Sequence, residues 1–131
     1  MKKIIKLLVA ITFMVSSLTS LADTSIKADV VYGHKDGMAL VYDVITPGNA
    51  NGAAVVFMVS GGWYSRWSPP ESRVEQFSHF LDAGFTLIPV HHGSAPRYLV
   101  PDAYADVSRA IRHIKMHAVQ HGIDADRIGV T

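Results

Sequence analysis

Apolar and polar positions along the chain alternate between strand-like and helix-like patterns. Ile26 to Tyr32 is β-prone, His34 to Gly37 is turn-like, and Met38 to Ile45 is β-prone again. With Asp36-Gly37 as the connecting dipeptide, this predicts an antiparallel hairpin. Thr46 to Gly52 has the composition of a loop. Ala53 to Val59 is a continuous apolar run, as expected of a strand covered on both faces of a sheet, and Phe85 to Val90 reads as a second buried strand. Between them, Ser68-Pro69-Pro70-Glu71 predicts a capping box with Ser68 as N-cap. The helix it opens carries Val74, Phe77, Phe80 and Leu81 on one face and ends at Gly84. Pro101 opens a second helix with a stripe of Ala103, Val107, Ala110, Ile111, Ile114 and Ala118, ending at Gly122. Arg127 to Thr131 begins another strand. The order implies an α/β fold: an opening hairpin, then parallel strands with flanking helices. No internal repeat or interdomain linker interrupts it.

The first 22 residues follow a different pattern. Lys2, Lys3 and Lys6 precede an apolar run from Leu7 to Val15, and Ser20-Leu21-Ala22 has small side chains at the two positions a signal peptidase reads. This is the secretory signal layout, and the run is shorter than the ~20 residues that span a bilayer. An uncleaved anchor is the competing reading. The expectation is an exported, periplasmic or extracellular protein with no membrane span after cleavage: residues 1–22 are signal peptide and 23–131 one partial domain.

Cleavage after Ala22 of the 131-residue chain leaves 109 residues with 9 basic and 11 acidic side chains. That balance offers no basic face for nucleic acid. There are no cysteines, which excludes a thiolate metal site or a lipoprotein cysteine; export permits disulfides without requiring them. At 109 residues the mature part is short for an α/β enzyme.

Open α/β sheets place ligands in the loops beyond the carboxyl ends of their strands. Ser60-Gly61-Gly62-Trp63 follows the first apolar strand directly. Consecutive glycines there serve a plain turn, or present backbone N–H groups to a developing oxyanion. His91-His92 stands at the second such strand end, where an active-site loop and a structural role are both open. His113, His117 and His121, four residues apart, have a spacing compatible with metal, but zinc needs three or four convergent ligands; incidental surface histidines are the preferred reading, and no metal or other cofactor is expected. Asp106 is read as a helix or loop support. Tyr64, Arg66 and Trp67 line a pocket rim or pack the loop.

The segment Val55 to Trp63 resembles the strand and His-Gly-Gly-Gly-Trp segment of the hormone-sensitive-lipase-like and carbohydrate-esterase-like α/β-hydrolases. Tyr32-Gly33, Asp36-Gly37, Leu40, Asp43-Val44 and Pro47 resemble that group's opening hairpin. Ala95-Pro96, Pro101 and Asp106-Val107 follow its next stretch, and Asp124 to Thr131 resembles the approach to its nucleophile elbow. The resemblance implies the N-terminal part of an α/β-hydrolase, oxyanion-hole N–H groups at Gly61 and Gly62, and Trp63 lining the acyl or alcohol side of the pocket. His92 is a further candidate for substrate binding. The family histidine falls on Val59, its first glycine on Ser60 and its Tyr-Arg pair on His92-Gly93, so the bracing of the loop must differ.

In the resembling family the strand begun at Arg127 runs into Gly-x-Ser-x-Gly, with the acid and histidine later. The expectation is the N-terminal portion of an exported serine hydrolase for small carboxylic esters, truncated before the nucleophile elbow, poorly soluble and inactive alone. A non-catalytic periplasmic binding domain, or a peptidase of the same superfamily, is the alternative.

Overall fold

The computed structural model describes residues 24–131; the signal-peptide expectation lies outside them. Five strands form one sheet: β1 (Ser25–Lys35), β2 (Met38–Thr46), β3 (Ala54–Met58), β4 (Thr86–Val90) and β5 (Ile128–Val130), in the spatial order β1-β2-β4-β3-β5. β1 and β2 are antiparallel, as are β2 and β4, while β4, β3 and β5 run parallel. The hairpin turns at Asp36 and Gly37, both at positive φ (49° and 81°), the type I′ geometry that matches strand twist. β1 is longer than its sequence pattern suggested and carries two irregularities. At the first, Asp29 has φ 55° and its N–H donates to the buried Asp43 carboxylate at 3.0 Å.

Side-chain alternation along the strands feeds two cores. Val44, Val56, Ile88 and Val90 face one side with Ala110, Ile114 and Ala118; Ile45, Val55 and Leu87 face the other with Phe77 and Leu81. All five residues of β4 are buried, as expected for a strand covered on both faces. β5 pairs with β3 and has no strand on its other edge among the described residues. Val130 there and Val100 and Tyr104 on the neighbouring helix are exposed.

The segment predicted as one helix is two, α1 (Glu71–Gln76) and α2 (Ser78–Asp82). Phe77 departs from helical geometry at φ −116°, ψ 24° and packs 4.6 Å from the ring of Phe57. Core packing decides the break, since neither glycine nor proline stands there. The capping box does not form: Pro70 is the N-cap without a side-chain bond, and the Ser68 hydroxyl is buried without a partner. Pro70 disfavours helical geometry at Pro69, which moves the helix start beyond the reach of Ser68. Gly84 closes the unit at φ 84°.

The second helix, α3 (Val100–Met116), is followed by a single 3₁₀ turn (Ala118–His121) and by Gly122 at φ 67°. The Asp102 carboxylate accepts the Leu99 N–H at 3.0 Å and fixes the start of α3. Buried Ala103, Asp106, Ala110 and Ile114 form its inner stripe. A charged residue in that stripe requires a partner, and the partner leads to the site.

Candidate active site

The carboxyl ends of β3 and β4 carry the two loops singled out in the sequence. After β3 the chain makes a tight turn: Gly61 N–H donates to the Tyr64 carbonyl at 3.0 Å and Tyr64 N–H returns to the Gly61 carbonyl at 3.1 Å. The central residues, Gly62 and Trp63, have φ of 58° and 68°. Glycine tolerates that region freely, whereas a tryptophan there is a strained outlier. The Trp63 carbonyl is held by the N–H of Ala95 at 3.0 Å. Gly61 thus has its N–H engaged, while neither Gly62 nor Trp63 donates its N–H to any acceptor among the described residues.

Ser65 and Ser94 tie this turn to the loop after β4. Ser65 N–H donates to Ser94 Oγ at 3.1 Å, His92 N–H reaches Ser65 Oγ at 3.3 Å, and Ser65 Oγ lies 3.4 Å from His91 Nδ1. Burial holds the His91 pKa below its ordinary value, against the opposing pull of Asp43. His92 is buried and its Nδ1 lies 2.8 Å from the Gly93 carbonyl. A carbonyl only accepts, so Nδ1 is the donor in this contact.

The brace expected to differ is built from distant residues. Asp106, 1% exposed, accepts the Gly93 N–H at 2.9 Å, and its oxygens lie 2.8 and 2.9 Å from Lys35 Nζ at the end of β1. Lys35 also stands over the Tyr98 ring at 4.7 Å. Gly93 has no room for a side chain: a Cβ there would sit 2.7 Å from the Tyr98 ring. Asp106 is a loop support, as its sequence context indicated. Lys35, Ser65 and Ser94 escaped sequence reasoning; a buried aspartate in the apolar stripe of α3 was the signal that a cation had to reach it.

Two cavities flank the Gly-Gly turn, and Ser60 lines both. One, of about 430 Å³, is lined by Gly61, Tyr64, Arg66, Arg73 and Gln76 over Phe57 and Val59. The other, of about 450 Å³, holds Trp63 and His92 with Met58, Val100, Tyr104 and Thr131. Trp63 and His92 are thereby brought together, and Gly61 opens on the opposite side.

His113, His117 and His121 lie away from these cavities, and reading them as incidental surface residues is incorrect. Buried Tyr42 places its hydroxyl 3.1 Å from His113 Nδ1 and 3.0 Å from His121 Nε2; His117 stacks on His113 with ring centroids 4.1 Å apart. Among the described residues no group of three His, Asp or Glu side chains has the geometry to hold a metal. Burial pushes the Tyr42 phenol up to about 12, so it stays protonated, and its hydroxyl can donate to one imidazole while accepting from an N–H of the other. Burial first, then neighbouring His117, and for His121 also Lys27, hold both histidines below 6.5. Below about pH 6.5 the unfolded chain therefore binds protons that the fold refuses, and stability falls as pH drops through the lowered folded values. The expected result is a lower thermal midpoint at pH 5 than at pH 7.5, a difference that shrinks in the double variant His113→Gln/His121→Gln. An equal drop in that variant would refute the assignment.

Residues 42–131 match the family model described as BD-FAE. The chain belongs to the BD-FAE family. Over 79 residues this BD-FAE chain is 29% identical to the probable carboxylic ester hydrolase LipM of Mycobacterium tuberculosis, covering 60% of the chain and 18% of that protein. Its fold is similar to a truncated form of a carbohydrate esterase from gut microbiota, with TM-score 0.68, 22% identity, and coverage of 81% of this chain and 38% of that one. It is also similar to esterase 2 of the Planctomycetes species Thermogutta terrifontis, with TM-score 0.65, 24% identity, and coverage of 83% and 39%. The BD-FAE chain thus has the α/β-hydrolase fold in part. It spans about two-fifths of the length of these esterase structures and under a fifth of the curated hydrolase.

Proposed function

We propose that this BD-FAE chain is the N-terminal portion of an exported serine hydrolase of small carboxylic esters, and that it supplies the oxyanion-hole loop. The reading rests on one observation: a strained turn at the carboxyl end of β3, between two cavities, with the Gly62 N–H unspent. In acyl transfer an attacking hydroxyl turns the ester carbonyl into an oxyanion, and fixed N–H donors stabilise that charge. Gly62 supplies one donor as it stands. Gly61 supplies a second once its N–H leaves the Tyr64 carbonyl, a change confined to one hydrogen bond of the turn. Trp63 and His92 line the side of the site that receives the acyl or alcohol group. Lys2, Lys3, Lys6, the apolar run and the Ser20-Leu21-Ala22 site support export.

The 131 residues contain no Gly-x-Ser-x-Gly, so the activity belongs to a longer gene product. The experiment is to sequence and express the gene downstream of the codon for Thr131. The expected product reads into Gly-x-Ser-x-Gly, hydrolyses p-nitrophenyl acetate and is labelled at that serine by a fluorophosphonate, whereas the 131-residue chain does neither. A stop followed by unrelated DNA, or a folded 131-residue monomer that hydrolyses the ester, would overturn the reading.

A further inference from the structure

The 430 Å³ cavity beside Gly61 has a chemistry that ester hydrolysis alone does not require. Its walls carry Arg66 and Arg73 and no carboxylate. Neither arginine has an acidic partner among the described residues, whose ion pairs involve Lys35 and Arg97 only. Arg73 is nevertheless held in place: Nη1 donates to Gln76 Oε1 at 2.8 Å and the guanidinium lies 5.7 Å from the Phe57 ring centroid. A neutral acceptor and an aromatic ring orient the fork without neutralising its charge.

Charge is also segregated about α1. Glu71 and Glu75, four residues apart, face with Asp82 into a different cavity, next to Pro47 and Asn49. Arg73 and Gln76 take the opposite side, toward Gly61. In a chain with more acidic than basic side chains after residue 22, two uncompensated arginines in one cleft make a local positive field at the Gly-Gly turn. Planar guanidinium groups suit carboxylates, which they bind through paired hydrogen bonds.

We propose that this cleft binds a carboxylate carried by the ester substrate, so that the natural substrates are acidic esters. The proposal rests on the esterase reading and names the substrate class of that site. Arg73 is the fixed contact and Arg66, from the exposed stretch after the turn, the second. Because the cleft is open to water, the preference weakens as salt screens it.

The experiment uses the complete gene product. Two ester pairs place the charge on opposite sides of the scissile bond: mono-p-nitrophenyl glutarate against p-nitrophenyl valerate, and 4-acetoxybenzoate against phenyl acetate. In one pair the charged member is favoured in kcat/KM, and Arg73→Gln or Arg66→Gln lowers that charged-to-neutral ratio by about tenfold each, as expected for loss of a charge-assisted contact. The pair that responds tells acyl-side from alcohol-side recognition. A second arm needs no turnover: glutarate protects Arg66 and Arg73, but not exposed Arg112, from phenylglyoxal, read by peptide mass mapping. Hydrolysis with charge ratios indifferent to both substitutions overturns the proposal. If no ester is hydrolysed, the esterase reading falls, and absence of protection by glutarate then overturns the carboxylate site independently.

Discussion

Asp106→Ala lowers the stability of the fold by about 3 kcal/mol, at the low end of the 3–5 kcal/mol expected when one partner of a buried ion pair is removed. The carboxylate is 1% exposed and serves two partners at once, Lys35 Nζ and the Gly93 N–H. Alanine leaves an ammonium only 17% exposed without its nearest carboxylate, and an unpartnered backbone donor. Each unsatisfied group carries its own desolvation cost. Relief is partial, because Asp102 is 3.7 Å from the same ammonium but 46% exposed, and for that reason the low end of the range applies. Against a total stability of about 5–15 kcal/mol for a native domain, the loss is large. Urea unfolding of the complete gene product measures it. The double variant Lys35→Met/Asp106→Ala should recover part of the loss, since the coupling of a contacting pair is not additive. A change below about 1 kcal/mol in the single variant would show that Lys35 and Gly93 find other partners.

The same residues show what a one-dimensional reading reaches. β4 was visible as a buried strand because its residues are apolar but for Thr86, and the hairpin because Asp36-Gly37 matches the φ signs its turn needs. Phe77 was assigned to the correct face of a helix, yet its packing on Phe57 breaks that helix, and local spacing holds no record of Phe57. Lys35 and Asp106 are 71 residues apart, as are Tyr42 and His113. Histidines four apart suggested one helix, whereas α3 ends at Met116 and His121 stands on the following 3₁₀ turn; the tyrosine that gives two of them a purpose lies on β2. At the candidate site the Gly-Gly pair was legible because strand ends are where turns and ligands coincide. That Gly61 would donate to Tyr64 while Gly62 would not donate at all depends on the turn's dihedral angles, which composition does not encode.

Those dihedral angles also separate the proposed donor from its surroundings. In the complete enzyme, Gly62→Pro is expected to cut kcat by about 10²–10³, the usual effect of losing one oxyanion donor. Proline removes the N–H and fixes φ near −65°, against the 58° found at Gly62. Gly62→Ala is the control. It keeps the N–H and meets no atom within 4 Å of its added Cβ, so it suffers only the cost of a left-handed residue, roughly 1–2 kcal/mol. If that cost falls on the fold, kcat changes little; if it shifts the turn, kcat falls by about tenfold or less, still well short of proline. KM for a small neutral ester should move less than kcat in both variants, because the oxyanion contact strengthens only as charge develops on the carbonyl oxygen. Equal kcat in folded alanine and proline variants would mean that the Gly62 N–H faces no oxyanion, and the turn would then be a structural corner between two cavities.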